Sequence, residues 1–234
     1  MTSTETHTQL SPTAIYPDLK GKVAVITGGS RGIGAATAVA LGGNGVSVAV
    51  VGRDQAALDK TVEAVAAQGA KAIGVVADST MEDQLAALRS TVNEQLGAVD
   101  ILAVFAGGNG MPVPTGNETS EHWREVVETD LTSTFLTVSS FLPDMLARHS
   151  GVIITMASAA ARQAAKSSAA YAASKAGVIA FSRHLAGEYA HEGIRINCIA
   201  PSAIENDRMR SWVPEEQRRA LGEAFPLGLS LIHI

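Results

Sequence analysis

Tyr171-Ala-Ala-Ser-Lys175 holds the two residues best placed to do chemistry in this chain. They open a long Ala-rich stretch, and residues four apart on a helix share a face, with Cβ atoms about 5–6 Å apart. An ordinary phenol titrates near 10, and about 4 kcal/mol is needed to bring it to neutrality. At about 5 Å and an effective dielectric of 20, attraction to an ammonium favours phenolate by roughly 3 kcal/mol. Such a pair can give and take a proton. Ser158 closes an apolar run thirteen residues before the tyrosine, where its hydroxyl could hold a substrate oxygen or simply cap a loop. Spacing alone proves little, because Tyr16 and Lys20 repeat it in the N-terminal arm; there Pro17 follows the tyrosine and no helical pattern surrounds it.

A second constellation is Thr27-Gly28-Gly29-Ser30-Arg31-Gly32-Ile33-Gly34, which joins an apolar run to an Ala-rich helical stretch. Glycines let the backbone turn sharply. Their missing Cβ atoms also let a pyrophosphate approach the helix N-terminus, where free N–H groups and about half a unit of positive charge meet it. The spacing is G-x-x-x-G-x-G rather than G-x-G-x-x-G, so the mechanism is read here and not that fingerprint. About twenty residues on, where an NAD enzyme places an acid for the ribose 2′-hydroxyl, the chain reads Gly52. Arg53 beside it and Arg31 in the glycine loop could clamp a 2′-phosphate, since guanidinium binds phosphate by charge-assisted bonds. NADP is therefore expected. Asp54 is the competing feature: were the strand one or two residues longer, its carboxylate could take the ribose and favour NAD.

Those residues need a scaffold. Short β-branched runs (VAVIT, VSVAVV, AIGVVA, VDILAVFAG, GVIITMAS and IRINCIA) alternate with helical stretches such as 54–68 and 81–96. Six buried strands in βαβ alternation imply an α/β fold, a doubly wound parallel sheet of Rossmann type with helices on both faces. Ligands then bind beyond the strand C-termini. The 234 residues suit one domain, expected over 21–228, after a Thr/Ser/Pro-rich mobile arm over 1–20. A charge of −5 without a basic block argues against nucleic acid and anionic membranes, and no apolar run is long enough for a membrane span. The expected partner is a small molecule. Cys198 is the single cysteine, and neither a signal peptide nor a metal-ligand grouping among the six histidines is apparent, which fits a cytoplasmic protein without a metal.

From Lys22 to Gly228 the chain resembles the short-chain dehydrogenase/reductase family, 3-oxoacyl-[acyl-carrier-protein] reductase-like members among them. T-G-x-x-x-G-x-G, an Asp after strand three, a Ser ending strand five and Y-x-x-x-K occur in order as Thr27–Gly34, Asp78, Ser158 and Tyr171–Lys175. The resemblance implies that Tyr171 is the general acid in reduction, that Lys175 favours its ionised form and holds the nicotinamide ribose, and that Ser158 orients the carbonyl. It likewise implies a cofactor site of Thr27, Gly28, Ser30, Arg31, Gly32, Ile33, Gly34, Arg53, Asp78, Ser79, Ala106, Gly107 and Pro201, with Asp78 on the adenine. Three positions depart from the pattern. Val104-Phe105-Ala106-Gly107 replaces N-N-A-G and loses a sheet-stabilising asparagine; Pro201-Ser202 replaces Pro-Gly. Asp130 stands where the family has an asparagine that holds a relay water, and a carboxylate accepts from water but cannot donate as an amide does.

The expected function is hydride transfer between NADP(H) and a carbonyl or alcohol carbon, in a ketone or 3-oxoacyl reductase. An alcohol or sugar dehydrogenase would use the same machinery, and a nucleotide-sensing protein without turnover is made thinkable by Phe105 and Asp130. The complete Ser158, Tyr171 and Lys175 set argues against the last. The chain ends Leu229-Ser-Leu-Ile-His-Ile234 where family members continue into a seventh strand. Those six residues match the translation of a sequencing adapter, so a non-native tail over 229–234, a fragment, and a homotetramer in the full-length protein are expected.

Overall fold

The computed structural model describes residues 14–108, 112–202, 204, 210–211 and 213–223. Six strands form: β1 (Val23–Thr27), β2 (Ser47–Gly52), β3 (Ala72–Val76), β4 (Ile101–Val104), β5 (Gly151–Met156) and β6 (Ile194–Ile199). All five neighbouring pairs are parallel, in the order β3-β2-β1-β4-β5-β6. The described α-helices include α1 (Gly32–Gly43), α2 (Gln55–Ala66), α3 (Glu82–Gln95), α4 (Ser120–Val127), α5 (Ser133–Ala147), α6 (Ala169–Tyr189) and α7 (Glu215–Glu223). This is the doubly wound α/β architecture expected from the β-branched runs.

Alternation along the strands divides the core between the two faces. On one, Val25, Val51, Leu102 and Val104 pack with Leu88 of α3, Phe141 and Met145 of α5 and Leu185 of α6. On the other, Ile26, Val48 and Val50 meet Ala38 of α1 and Leu58 and Val65 of α2. Fully burying one such Val, Ile, Leu or Phe contributes about 1.5–3 kcal/mol, so both layers are strongly held to the sheet. The outer strands differ from the expected six buried ones. Val76 of β3 is 51% exposed and Ile199 of β6 is 46% exposed; each is the last residue of an outer strand that pairs with one neighbour only.

Strand order reverses between β1 and β4, which opens a crevice beyond their C-terminal ends. Two local features shape it. Thr27 Oγ1 accepts from the N–H groups of Phe105 and Ala106, both at 3.2 Å, and so ties the end of β1 to the end of β4. Between α4 and α5 the chain makes a π turn over Glu128–Thr132, which turns Asp130 inward until it is fully buried. Such one-turn π insertions are frequent at functional sites.

Of the expected N-terminal arm, residues 1–13 lie outside the described residues. Ala14–Lys20 runs against α1: Asn44 Oδ1 accepts from the Tyr16 N–H at 2.6 Å, and its amide donates to Ala14 O at 3.1 Å. The expected tail over 229–234 also lies outside the described residues.

Candidate active site

A cleft of about 1830 Å³ runs along the C-terminal edge of the sheet. Its outer end is the glycine loop. Gly28 sits at φ +65°, and a Cβ there would lie 2.8 Å from the backbone of Phe105 and Ala106. At Gly34 a Cβ would run into the Gly28 carbonyl, so both positions admit only glycine without movement. Gly32, at φ +55°, faces open space at the start of α1. The result is an open cradle at a helix N-terminus. Ser30, Arg31, Ile33, Arg53, Asp78, Ser79, Ala106 and Gly107 join it in lining the cleft, whereas Thr27 lies beneath and Pro201 lies outside the lining, with its carbonyl accepting from Ala159 N–H at 2.8 Å.

Both arginines expected at a 2′-phosphate are engaged with acids. Arg31 Nη2 binds Asp54 Oδ2, and Arg53 Nη1 lies 3.6 Å from Asp78 Oδ2. Both arginines are well exposed. Strand β2 ends at Gly52, and Asp54 is the N-cap of α2, accepting from Ala57 N–H at 3.1 Å. That bond first, and the Arg31 guanidinium after it, hold the Asp54 carboxyl below the usual carboxylate range. Asp78 is likewise lowered, chiefly by the Thr80 N–H and then by the Thr80 hydroxyl and Arg53, against some desolvation.

Tyr171 and Lys175 stand on α6. Ser168 caps that helix, its Oγ accepting from Tyr171 N–H at 3.1 Å, and this fixes the backbone from which the tyrosine projects. One turn later Lys175 is 3% exposed. Its Nζ lies 5.7 Å from the centre of the Tyr171 ring, donates to Met156 O at 3.0 Å and meets Asp130 Oδ1 at 2.9 Å. Asp130 Oδ1 also accepts from Gly108 N–H at 2.7 Å. A Cβ at Gly107 would come within 2.7 Å of the same oxygen, so glycine there makes room for the carboxylate. Ser158 ends the run after β5 and caps the short 3₁₀ turn Ala159–Ala161, accepting from Ala160 N–H at 3.2 Å. That bond leaves the hydroxyl's own hydrogen available to another oxygen. Tyr171, Lys175 and Ser158 do not line the cleft themselves, but Met156, which fastens Lys175, does.

A sequence profile of the short chain dehydrogenases matches residues 22–217. The chain belongs to the short-chain dehydrogenase/reductase family. It is 32% identical over 215 residues to glucose 1-dehydrogenase 2 of Bacillus subtilis, spanning 91% of this chain and 83% of that protein. Levodione reductase of Leifsonia aquatica is 35% identical over 220 residues, 91% of this chain and 81% of its own. Among solved structures, a levodione reductase superposes with a TM-score of 0.85 at 30% identity, covering 90% of this chain and 85% of that one. An actinorhodin polyketide ketoreductase with NADPH gives 0.83 at 31% identity, with coverage of 93% and 87%. The protein is accordingly an oxidoreductase of a family that uses NAD(P). No helix among the described residues is long and apolar enough to cross a membrane.

Within this dehydrogenase/reductase frame, the departures from the family pattern have visible consequences. Phe105 packs against the core layer under α1 and α2 and also lines the cleft, while Thr27 holds its N–H. Asp130 makes direct contact with Lys175. Sequence reasoning missed the partners that set this geometry: Met156 O, Gly108 N–H and Thr80 act largely through backbone groups, which leave no mark on a residue pattern. Ser168 could have been found as a serine just ahead of an Ala-rich helix. Ile204, Arg210 and Ser211 also line the cleft.

Proposed function

We propose that the chain reduces ketones, 3-oxoacyl-type substrates or similar, with NADPH. The observation that carries this reading is the buried Lys175, fastened by Met156 O and Asp130 beside the Tyr171 ring, together with Arg31 and Arg53 on the glycine-loop cleft. The glycine cradle fits a dinucleotide: α1 presents its first N–H groups beside Gly32, where a side chain would fill the space. Gly28, Ser30, Ile33 and Ser79 would hold it, with Asp78 on the base, Arg31 and Arg53 on the 2′-phosphate, and Lys175 on the ribose. A bound nicotinamide supplies the hydride for the carbonyl carbon.

The chain's own residues handle the oxygen. Ser158 donates to the carbonyl oxygen and orients it. Tyr171 gives that oxygen its phenolic proton as the alcohol forms, and solvent later restores it. Lys175 stabilises the phenolate left behind, because an ammonium held by Met156 O and Asp130 cannot swing away from the ring. Reductase names among the relatives, levodione reductase and a ketoreductase, favour the reductive direction. A second reading, an alcohol or sugar dehydrogenase, is favoured by the likeness to glucose 1-dehydrogenase 2 and by Arg31 being paired with Asp54. The test is a panel of ketones with NADPH or NADH and of alcohols and sugars with the oxidised cofactors. NADPH-dependent turnover of ketones is expected; turnover confined to sugars with NAD⁺ would overturn the reading.

A further inference from the structure

Asp130 holds an unusual position for a carboxylate. Its residue is fully buried, one oxygen is shared by Lys175 and Gly108, and Oδ2 is buried with no partner among the described residues. A group so enclosed is costly unless it is paired, and its cation is the one beside Tyr171. The other charged groups on elements packed against α6 lie off this contact. On α4 and the π turn, Glu121, Arg124, Glu125 and Glu128 are exposed, and Glu125 lines the cleft. Arg195 of β6 is exposed, as are Arg162 and Lys166 in the segment before α6; His191 and Glu192 lie at the opposite end of the helix.

We propose that Asp130 is a positioning residue that fastens Lys175 and offsets its charge, keeping Tyr171 protonated to higher pH than a neutral residue here would. The argument is electrostatic. A lone ammonium near a phenol favours phenolate, whereas an ammonium paired with a carboxylate presents a nearly neutral pair and a weaker field. Lys175 thus keeps its place while part of its pull on the phenolic proton is withdrawn. Resting on the reading of Tyr171 as proton donor, this suits reduction, in which the protonated phenol is the working form. Oxidation of alcohols, which needs phenolate, is pushed towards alkaline pH.

The chain has three tyrosines, so phenolate absorbance can be titrated on the protein without cofactor, and Tyr171 isolated by subtracting the same titration of Tyr171→Phe. In Asp130→Asn, which keeps the shape and removes the charge, the Tyr171 transition is expected about one pH unit below wild type. Asp130→Ala should move it the same way and serves if the amide disturbs folding, which circular dichroism would report. With substrate and cofactor, the acid limb of kcat/KM for alcohol oxidation should move in parallel. An unchanged Tyr171 transition in a folded variant overturns the proposal, since a merely structural role would lower activity without moving the midpoint. Failure of the proton-donor reading would look different: wild type would bind NADPH and turn over neither ketone nor alcohol, while the optical titration still decided the charge balance.

Discussion

Each end of the proposed site joins a cation to an aspartate, but on opposite terms. At the nucleotide end, Arg31 and Asp54 have side chains 72% and 45% exposed, and Arg53 and Asp78 77% and 32%. At the chemical end, Lys175 and Asp130 are 3% and 0% exposed. Exposed pairs are worth about 0–1 kcal/mol, so an arginine there can exchange an aspartate for a phosphate at little cost. A buried pair cannot be opened so cheaply, because losing one partner strands the other without water or counter-charge. The proposed site therefore couples an adaptable recognition end to a fixed reaction end. Both ends pair a basic side chain with an aspartate, and burial separates the adaptable pairs from the fixed one.

Removing the buried cation should give the largest effect. Lys175→Met leaves Asp130 enclosed without its partner, and a loss of about 3–5 kcal/mol in unfolding free energy is expected. Chemical denaturation of wild type and variant checks it; a loss near the surface-pair value would mean that Asp130 is not held as an ion. The double variant Lys175→Met/Asp130→Leu should recover part of the loss.

Tyr171→Phe separates chemistry from structure at the same end. The ring stays, only the proton-bearing oxygen goes, and a positioned acid is worth about 10²–10⁴-fold. Turnover should fall by at least that range while NADPH binding and stability hold. Steady-state rates beside fluorescence titration of the cofactor would show it, and a variant retaining most of the rate would remove Tyr171 from the mechanism.

These two ends were not equally legible in the sequence. Strand runs such as VAVIT, the glycine loop, and Tyr171 and Lys175 four apart are local signals, each set by a period or by backbone freedom, and the structure has the corresponding elements. Asp54 was legible as a helix start but ambiguous in role until β2 was seen to stop at Gly52. The Lys175–Asp130 contact was not legible. It joins residues 45 positions apart and depends on a π turn that no periodicity announces. Nor could the pairing of Arg31 with Asp54 across two loops be read from charge, since both arginines look free in a linear pattern. Likewise, apolar runs at β3 and β6 look like those of the inner strands, and only sheet order makes Val76 and Ile199 outer.

At the adaptable end, smaller and cofactor-selective effects are expected. Arg53→Ala should weaken NADPH about tenfold, the equivalent of roughly 1.4 kcal/mol, and leave NADH nearly unchanged, because only the former carries the 2′-phosphate. Titrating both cofactors tests this. Equal weakening of the two would assign Arg53 to the shared part of the dinucleotide.

Asp54 offers the gentlest way to shift the balance between the two cofactors. Asn caps a helix about as well as Asp, so Asp54→Asn should preserve the start of α2 while removing a negative charge beside the expected 2′-phosphate. Arg31 would then lose its competing partner, and NADPH affinity should rise several-fold with NADH little changed. The pH dependence has a definite sign. Because the Ala57 N–H and Arg31 hold the Asp54 carboxyl below its ordinary value of 3.8, it stays ionised above that value, and its contribution to stability disappears only as pH falls through the lowered value. Lowering the pH of wild type from about 8 to 5 therefore leaves Asp54 charged and should not reproduce the substitution. Cofactor titrations on both proteins at the two pH values decide it: a wild type whose preference for NADPH over NADH rises to that of Asp54→Asn at the lower pH would mean that this carboxyl is not held down, and that the Arg31 pair does not set the balance.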